Sequence, residues 1–290
     1  MSDIPPELSP PSTVPPVLNP APMCAIGGAG KTWTEQQGRD LKAGLATVIL
    51  LTYIAGQVIG GMLVGIPIGF VAGVSRAMRH ARTPMLQEIE ALKPTMTLWG
   101  GLLGVIVGGV AMLYLSKIQL GERLYDRQPT GAAWVYGRPR QNVVGLGLGL
   151  VVGLFSTLIV AAFRLWGLEP TFGPTTKMLL TPGLPQVIMV AIALLLAPPI
   201  EEMLFRGVLL GGYQRSFGQP AAVALTVSIF VLMHLPEMIG FVPAAFGIAA
   251  LASVATWMRL RAAAIGPAVA VHFGYNLVLT TGVICATWHK

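Results

Sequence analysis

From residue 43 onward, long apolar stretches alternate with short polar breaks marked by glycine, proline and basic residues. A helix needs about 20 apolar residues to cross a bilayer. Stretches of that order lie at 43–74, 95–115, 143–166, 185–212, 221–235, 238–258 and 262–285. The pattern predicts an all-α polytopic transmembrane helical bundle of about seven spans, six to eight being allowed. The first stretch is long enough to tilt or to hold a break near Pro67. Between spans, 75–94 predicts a short amphipathic surface helix, and 116–141 a polar loop with Trp134 and Tyr136 at the interface. Glycines crowd the second and third spans: Gly100, Gly101, Gly104, Gly108 and Gly109, then Gly145, Gly147, Gly149 and Gly153. They predict small-residue stripes for close helix packing. No internal repeat is visible, which argues against inverted-repeat transporters.

Composition agrees with a membrane protein. The chain is 54% hydrophobic and 11% charged, with a mean hydropathy of +0.70, where soluble domains carry about 25% charged residues. The net charge of +7 does not point to nucleic acid, because the basic residues sit between spans. Arg76, Arg79 and Arg82 follow the first span; Arg123, Arg127, Arg138 and Arg140 follow the second. No aromatic-interleaved groove accompanies them, so the expected partners are membrane lipid headgroups. The distribution of Lys and Arg places the N-terminus in the cytoplasm, with Arg215, Arg259 and Arg261 on the same side. Richness in alanine, glycine and proline points to a high-GC bacterium and hence to a multi-pass protein of the cell (plasma) membrane.

Three segments are expected: a flexible Pro-rich tail at 1–40, N-terminal membrane helices and loops at 41–180, and a membrane core at 181–285. The first 22 residues hold eight prolines, too little apolar matter to pack. Residues 27–32, Gly-Gly-Ala-Gly-Lys-Thr, echo a phosphate-binding loop, but its first glycine would fall at Ala25 and no strand precedes it. Cys24 and Cys285 make no disulfide framework or metal spacing. No cofactor is expected.

The chemistry concentrates in one apolar span. Residues 198–206 read Pro-Pro-Ile-Glu-Glu-Met-Leu-Phe-Arg, and beyond Glu169 the only acidic residues are Glu201, Glu202 and Glu237. An ionisable side chain near the bilayer centre costs roughly 2.5–3.5 kcal/mol on insertion scales. The proline pair predicts a bend or restart, because each proline removes a backbone donor and clashes with the preceding turn. Adjacent helix residues diverge by about 100°, so the two carboxylates face different ways. Arg206 stands four residues after Glu202, the favoured spacing for an intrahelical pair. That leaves Glu201 the freer carboxylate. Phe230 and His234 share one helix face, as do His272 and Asn276 in the last span. Buried His and Asn need partners in lipid. His80 and His289 fall outside the spans and read as solvated.

Glu-Glu-x-x-x-Arg at 201–206, Phe-x-x-x-His at 230–234 and His-x-x-x-Asn at 272–276 occur in that order in separate apolar segments. This arrangement resembles the CPBP family, the type II CAAX prenyl proteases and bacteriocin-processing (Abi) proteins. The resemblance covers about 185–285; the Pro-rich N-terminus is not part of the family core. It implies an intramembrane glutamic endopeptidase that needs no metal and takes a peptide or protein substrate from the membrane. In that reading Glu201 activates water with help from His234. His272 and Asn276 hold the oxyanion, and Glu202, Arg206 and Phe230 support the site. Two other readings stand beside it: a zinc-dependent membrane metalloprotease, though HExxH spacing is absent, and a non-catalytic scaffold or immunity protein that uses the polar cluster for recognition.

Overall fold

The structure is a computed structural model that describes residues 40–79, 84–128, 130–169 and 171–288, with the backbone alone at 85–86 and 286–288. The Pro-rich tail, Cys24, the 27–32 segment, His80, Arg82 and His289 lie outside the described residues. Helices α1 (Ala43–Met78), α2 (Met85–Leu120) and α3 (Pro139–Leu165) are followed by the short α4 (Pro174–Leu179) and by α5 (Leu184–Phe217). Then come α6 (Gln219–Met233), the single-turn α7 (Leu235–Met238), α8 (Ala244–Ala262) and α9 (Gly266–Trp288). The all-α polytopic fold is as the apolar pattern predicts.

Among the described residues five helices, α1, α2, α3, α5 and α9, are long and apolar enough to cross a bilayer. The other two expected spans form shorter elements. Helix α6 has 15 residues, about 22 Å at the helical rise, short of the roughly 30 Å hydrocarbon core. Helix α8 has 19 and ends on Arg259 and Arg261. Two local expectations are corrected. Helix α1 continues unbroken through Pro67, and 75–94 is not a separate surface helix. Its described residues are instead the end of α1 and the first turns of α2, which runs through Pro94. Arg76 and Glu88 join the two helices with an ion pair of 3.2 Å.

The glycine stripes set helix spacing. A Cβ on Gly56 or Gly60 would lie 2.5 Å from the backbone of Gly108 or Gly104, so α1 and α2 touch backbone to backbone. Likewise a Cβ on Gly149 would sit 2.1 Å from the Val271 carbonyl, one residue before His272. Large apolar side chains such as Leu51, Val58, Leu63, Ile66 and Phe70 point outward, as a lipid-facing surface requires. One core, including Tyr53, Met112, Phe205, Phe230, Leu251, Val271 and Tyr275, surrounds α5.

Polar contacts tie one end of the bundle together. Asp40 pairs with Arg123 and, at 3.1 Å, with Arg215, and the Ala43 N–H donates to Ser216. The N–H groups of Ile265 and Gly266 donate to Ala133 and Val135 in the 121–138 segment. At the other end Glu237 accepts the Thr175 N–H and so caps α4.

Candidate active site

The proline pair does not break α5; it widens it. The Ala197 N–H reaches back five residues to the Ile192 carbonyl, so Ile192–Leu196 form a π-helical turn. The next donor in that register would be residue 198, a proline with no N–H. Helix resumes over Ala197–Glu202, and a second π-helical stretch follows over Met203–Leu209. Such wide turns recur at functional sites. Here they leave backbone carbonyls to be satisfied from elsewhere, and side chains do so. Asn276 Nδ2 donates to the Ala193 carbonyl at 2.7 Å. In the second stretch the Leu210 N–H is spent on Phe205 and Gly207, and the Arg206 carbonyl accepts Arg259 Nε at 3.1 Å.

Glu202 is the paired carboxylate, through one oxygen; its Oε2 is buried and has no hydrogen-bond partner among the described residues. Its Oε1 accepts from Arg206 Nη1 at 3.0 Å and from His272 Nδ1 at 2.9 Å, and Glu202 and Arg206 are fully buried. Arg206 also donates to the Ala252 carbonyl at 3.0 Å and lies over the Phe230 ring at 4.5 Å. A charge pair this deep is stable only when most of its polar atoms find partners, and α8 and α9 supply them. Phe230 is the packing centre of the site. Its ring meets His234 at 4.5 Å, Phe205 edge-on at 4.9 Å and His272 edge-on at 5.9 Å. One aromatic therefore orients the arginine and both histidines.

Glu201 points elsewhere, as its helical offset requires. Its carboxylate stands 3.9 Å from His234 Nε2, and its buried Oε2 has no hydrogen-bond partner among the described residues. His234 sits at the C-terminus of α6, where Nδ1 lies 2.8 Å from the Phe230 carbonyl. A carbonyl only accepts, so that nitrogen carries a proton, and in the neutral ring Nε2 turns its lone pair towards Glu201. The span of 3.9 Å is too long for a direct hydrogen bond but can be closed by one water bonded to both groups.

The structure thus brings Glu201, Glu202, Arg206, Phe230, His234 and His272 together on α5, α6 and α9, with Asn276 one turn beyond His272 on α9 and bonded to the Ala193 carbonyl of α5. Three neighbours are illegible in the sequence. Tyr53 of α1 is buried in the core around α5. Arg259, expected among the cytoplasmic loop cations, is instead 1% exposed and bonds the Arg206 and Gly131 carbonyls. Trp134, expected at the interface, is partly buried and donates to the Met203 carbonyl at 3.2 Å. A Cβ on Gly207 would lie 2.4 Å from its indole nitrogen, so only glycine admits it there. Among the described residues no three His, Cys, Asp or Glu side chains form a group that could hold a metal ion.

Comparison with known proteins returns one family. Residues 183–278 match the family model described as type II CAAX prenyl endopeptidase Rce1-like. The matched segment contains these six site residues and Asn276. The search of curated proteins and the search of solved structures returned no match. With its three motifs inside the matched segment, residues 183–278 are similar to the type II CAAX prenyl endopeptidases, and the chain is a multi-pass membrane protein.

Proposed function

We propose that this protein is an intramembrane endopeptidase that hydrolyses peptide bonds of membrane-associated or lipid-modified peptides, with Glu201 as the general base. The observation that carries this reading is the contrast between the two adjacent carboxylates. Each keeps one buried oxygen without a hydrogen-bond partner among the described residues, but Glu202 is tied through Oε1 to both Arg206 and His272, whereas the free oxygen of Glu201 faces His234 Nε2 at 3.9 Å. A water held between Glu201 and His234 donates one proton to each and presents its own lone pair to the substrate carbonyl.

As the water oxygen bonds to the carbonyl carbon, Glu201 takes the proton, and the carbonyl electrons move to oxygen. The oxyanion is received by Asn276 and His272. One Asn276 N–H is used on Ala193, which leaves the second free to donate. Glu202 on His272 Nδ1 supplies the counter-charge for the doubly protonated ring, whose Nε2–H is the other donor. Preorganised donors of this kind are often the largest catalytic term. When the tetrahedral intermediate collapses, the C–N bond breaks and the proton held by Glu201 passes to the leaving amine. Arg206 and Phe230 hold the frame, and the site lies in the membrane of the cell.

The test is cleavage of a fluorogenic farnesylated CaaX peptide, and of an unprenylated membrane-anchored peptide, by purified protein in detergent with a strong chelator present. We expect chelator-insensitive turnover that Glu201→Gln reduces at least about a hundredfold. Turnover that survives this change rules out the general-base assignment. Loss of activity with a stoichiometric zinc, restored by adding zinc back, moves the reaction to metal chemistry. The choice between the two peptides separates a prenyl-dependent substrate from a merely membrane-bound one.

A further inference from the structure

We propose that Pro198 is a positioning residue for Asn276: lacking an N–H, it leaves the Ala193 carbonyl open, and that carbonyl anchors the Asn276 amide. The anchoring stands on backbone geometry. Its importance for turnover rests on the reading of Asn276 as an oxyanion donor given above.

Within α5 the Ala193 carbonyl has two candidate backbone donors. In α-helical register it would take the N–H of Ala197, but that group is bonded to Ile192. In π-helical register it would take the N–H of residue 198, which is proline. A carbonyl left bare in an apolar interior costs free energy unless a partner arrives. The partner is Asn276 on α9, 83 residues away, at 2.7 Å. The amide is planar, so one N–H held on Ala193 fixes the direction of the second. The Asn276 backbone carbonyl is itself tied by the Thr280 hydroxyl at 2.7 Å, which leaves the side chain little else to turn towards.

Pro199 provides an internal control, because its missing N–H would face Leu194 or Leu195, not Ala193. Alanine at 198 restores a donor. Whether the helix then keeps the wide turn or relaxes, a backbone N–H takes the Ala193 carbonyl and competes with Asn276.

The experiment is a double-mutant cycle of Pro198→Ala and Asn276→Ala in purified full-length protein, read by melting temperature in detergent and by kcat and KM on the farnesylated peptide. Asn276→Ala should lower the melting temperature by about 2–4 °C in the natural background and by less than about half of that beside Pro198→Ala. Pro198→Ala should lower kcat roughly tenfold with KM unchanged, and Pro199→Ala should stay within about twofold. Equal melting losses in both backgrounds, or wild-type kcat in Pro198→Ala, would overturn the proposal.

A second measurement needs no altered proline. The chain has three asparagines, so 15N-asparagine labelling isolates the Asn276 side-chain amide by NMR. One of its two protons should be hydrogen-bonded and slow to exchange; two equivalent, fast-exchanging protons would overturn the anchoring. If the melting cycle couples while Glu201→Gln leaves cleavage intact, the anchoring stands and the catalytic reading falls. If cleavage requires Glu201 and Asn276 but the cycle shows no coupling, the reverse holds.

Discussion

His272 and Glu202, 70 residues apart in the chain, share a 2.9 Å hydrogen bond between Nδ1 and Oε1 inside the bundle. This bond joins the first and third motifs and ties Glu202, not Glu201, to α9. In the reaction proposed above it separates two jobs within one imidazole: Nδ1 binds the buried acid, and Nε2 is left to receive the oxyanion. The two nitrogens can be tested apart, since an asparagine amide overlays Nδ1 and a glutamine amide overlays Nε2. His272→Asn should keep the melting temperature within about 2 °C of wild type while turnover falls roughly a hundredfold. His272→Gln should be the less stable of the two yet retain more activity. Thermal melting beside single-substrate kinetics reads both, and the opposite ranking would reverse the assignment of the two nitrogens.

The buried pair of Glu202 and Arg206 gives a second prediction. Arg206→Ala strands a fully buried carboxylate, and breaking such a pair costs roughly 3–5 kcal/mol. It also removes the cation seated over Phe230, 4.5 Å from its ring. Replacing both residues, as Glu202→Leu with Arg206→Met, should recover most of the stability without restoring turnover. A double variant as unstable as Arg206→Ala alone would show that the pair is not the source of the loss.

Arg259 should behave as a structural clamp rather than a lipid-facing cation. It bonds the Arg206 carbonyl at 3.1 Å and the Gly131 carbonyl at 2.7 Å, joining α8 to α5 and to the 121–138 segment. Arg259→Met keeps the length of the side chain but leaves two carbonyls unsatisfied, at roughly 1–3 kcal/mol each. Its melting temperature should drop by several degrees, whereas Arg261→Met, at an exposed position over Trp257, should leave it nearly unchanged. Equal melting behaviour of the two variants would place Arg259 outside the clamp.

Gly149 sets the position of α9 beside the site. Because a Cβ there would fall 2.1 Å from the Val271 carbonyl, Gly149→Val must push α9 away at the residue before His272. Overpacking of this kind costs about 1–3 kcal/mol or more. Gly147→Val on the same helix, where a Cβ meets nothing within 4 Å, is the matched control. Activity and melting temperature should fall together in the first variant and in neither measure for the second.

The orientation of the bundle is open to direct labelling. Asp40, Arg123 and Arg215 meet at one end, the end that the Lys and Arg distribution assigns to the cytoplasm. A cysteine placed in the Pro-rich tail, in a chain lacking Cys24 and Cys285, should react with an impermeant reagent only after the membrane is opened. Labelling in intact cells would invert the bundle and leave the site unaltered.

The sequence by itself determined what depends on local pattern. Runs of apolar residues mark α1, α2, α3, α5 and α9, since crossing a bilayer demands length and apolarity that no soluble segment needs. The Glu202–Arg206 pair is legible because residues four apart share a helix face, and the divergence of Glu201 follows from the same geometry. The three motifs were also readable as a set, since buried His, Asn and Glu are costly in lipid. Tertiary structure alone decided the rest. Pro198 and Pro199 read locally as a break, yet the wide turns and the carbonyl partners offered by α8 and α9 keep the helix continuous. Arg259 reads as a loop cation, because only the fold brings the Arg206 and Gly131 carbonyls to a guanidinium at a helix end. His272 could pair with either adjacent glutamate until the approach of α9, set by Gly149, placed it against Glu202. Each of these depends on contacts between residues far apart in the chain, and local sequence carries no record of such distances.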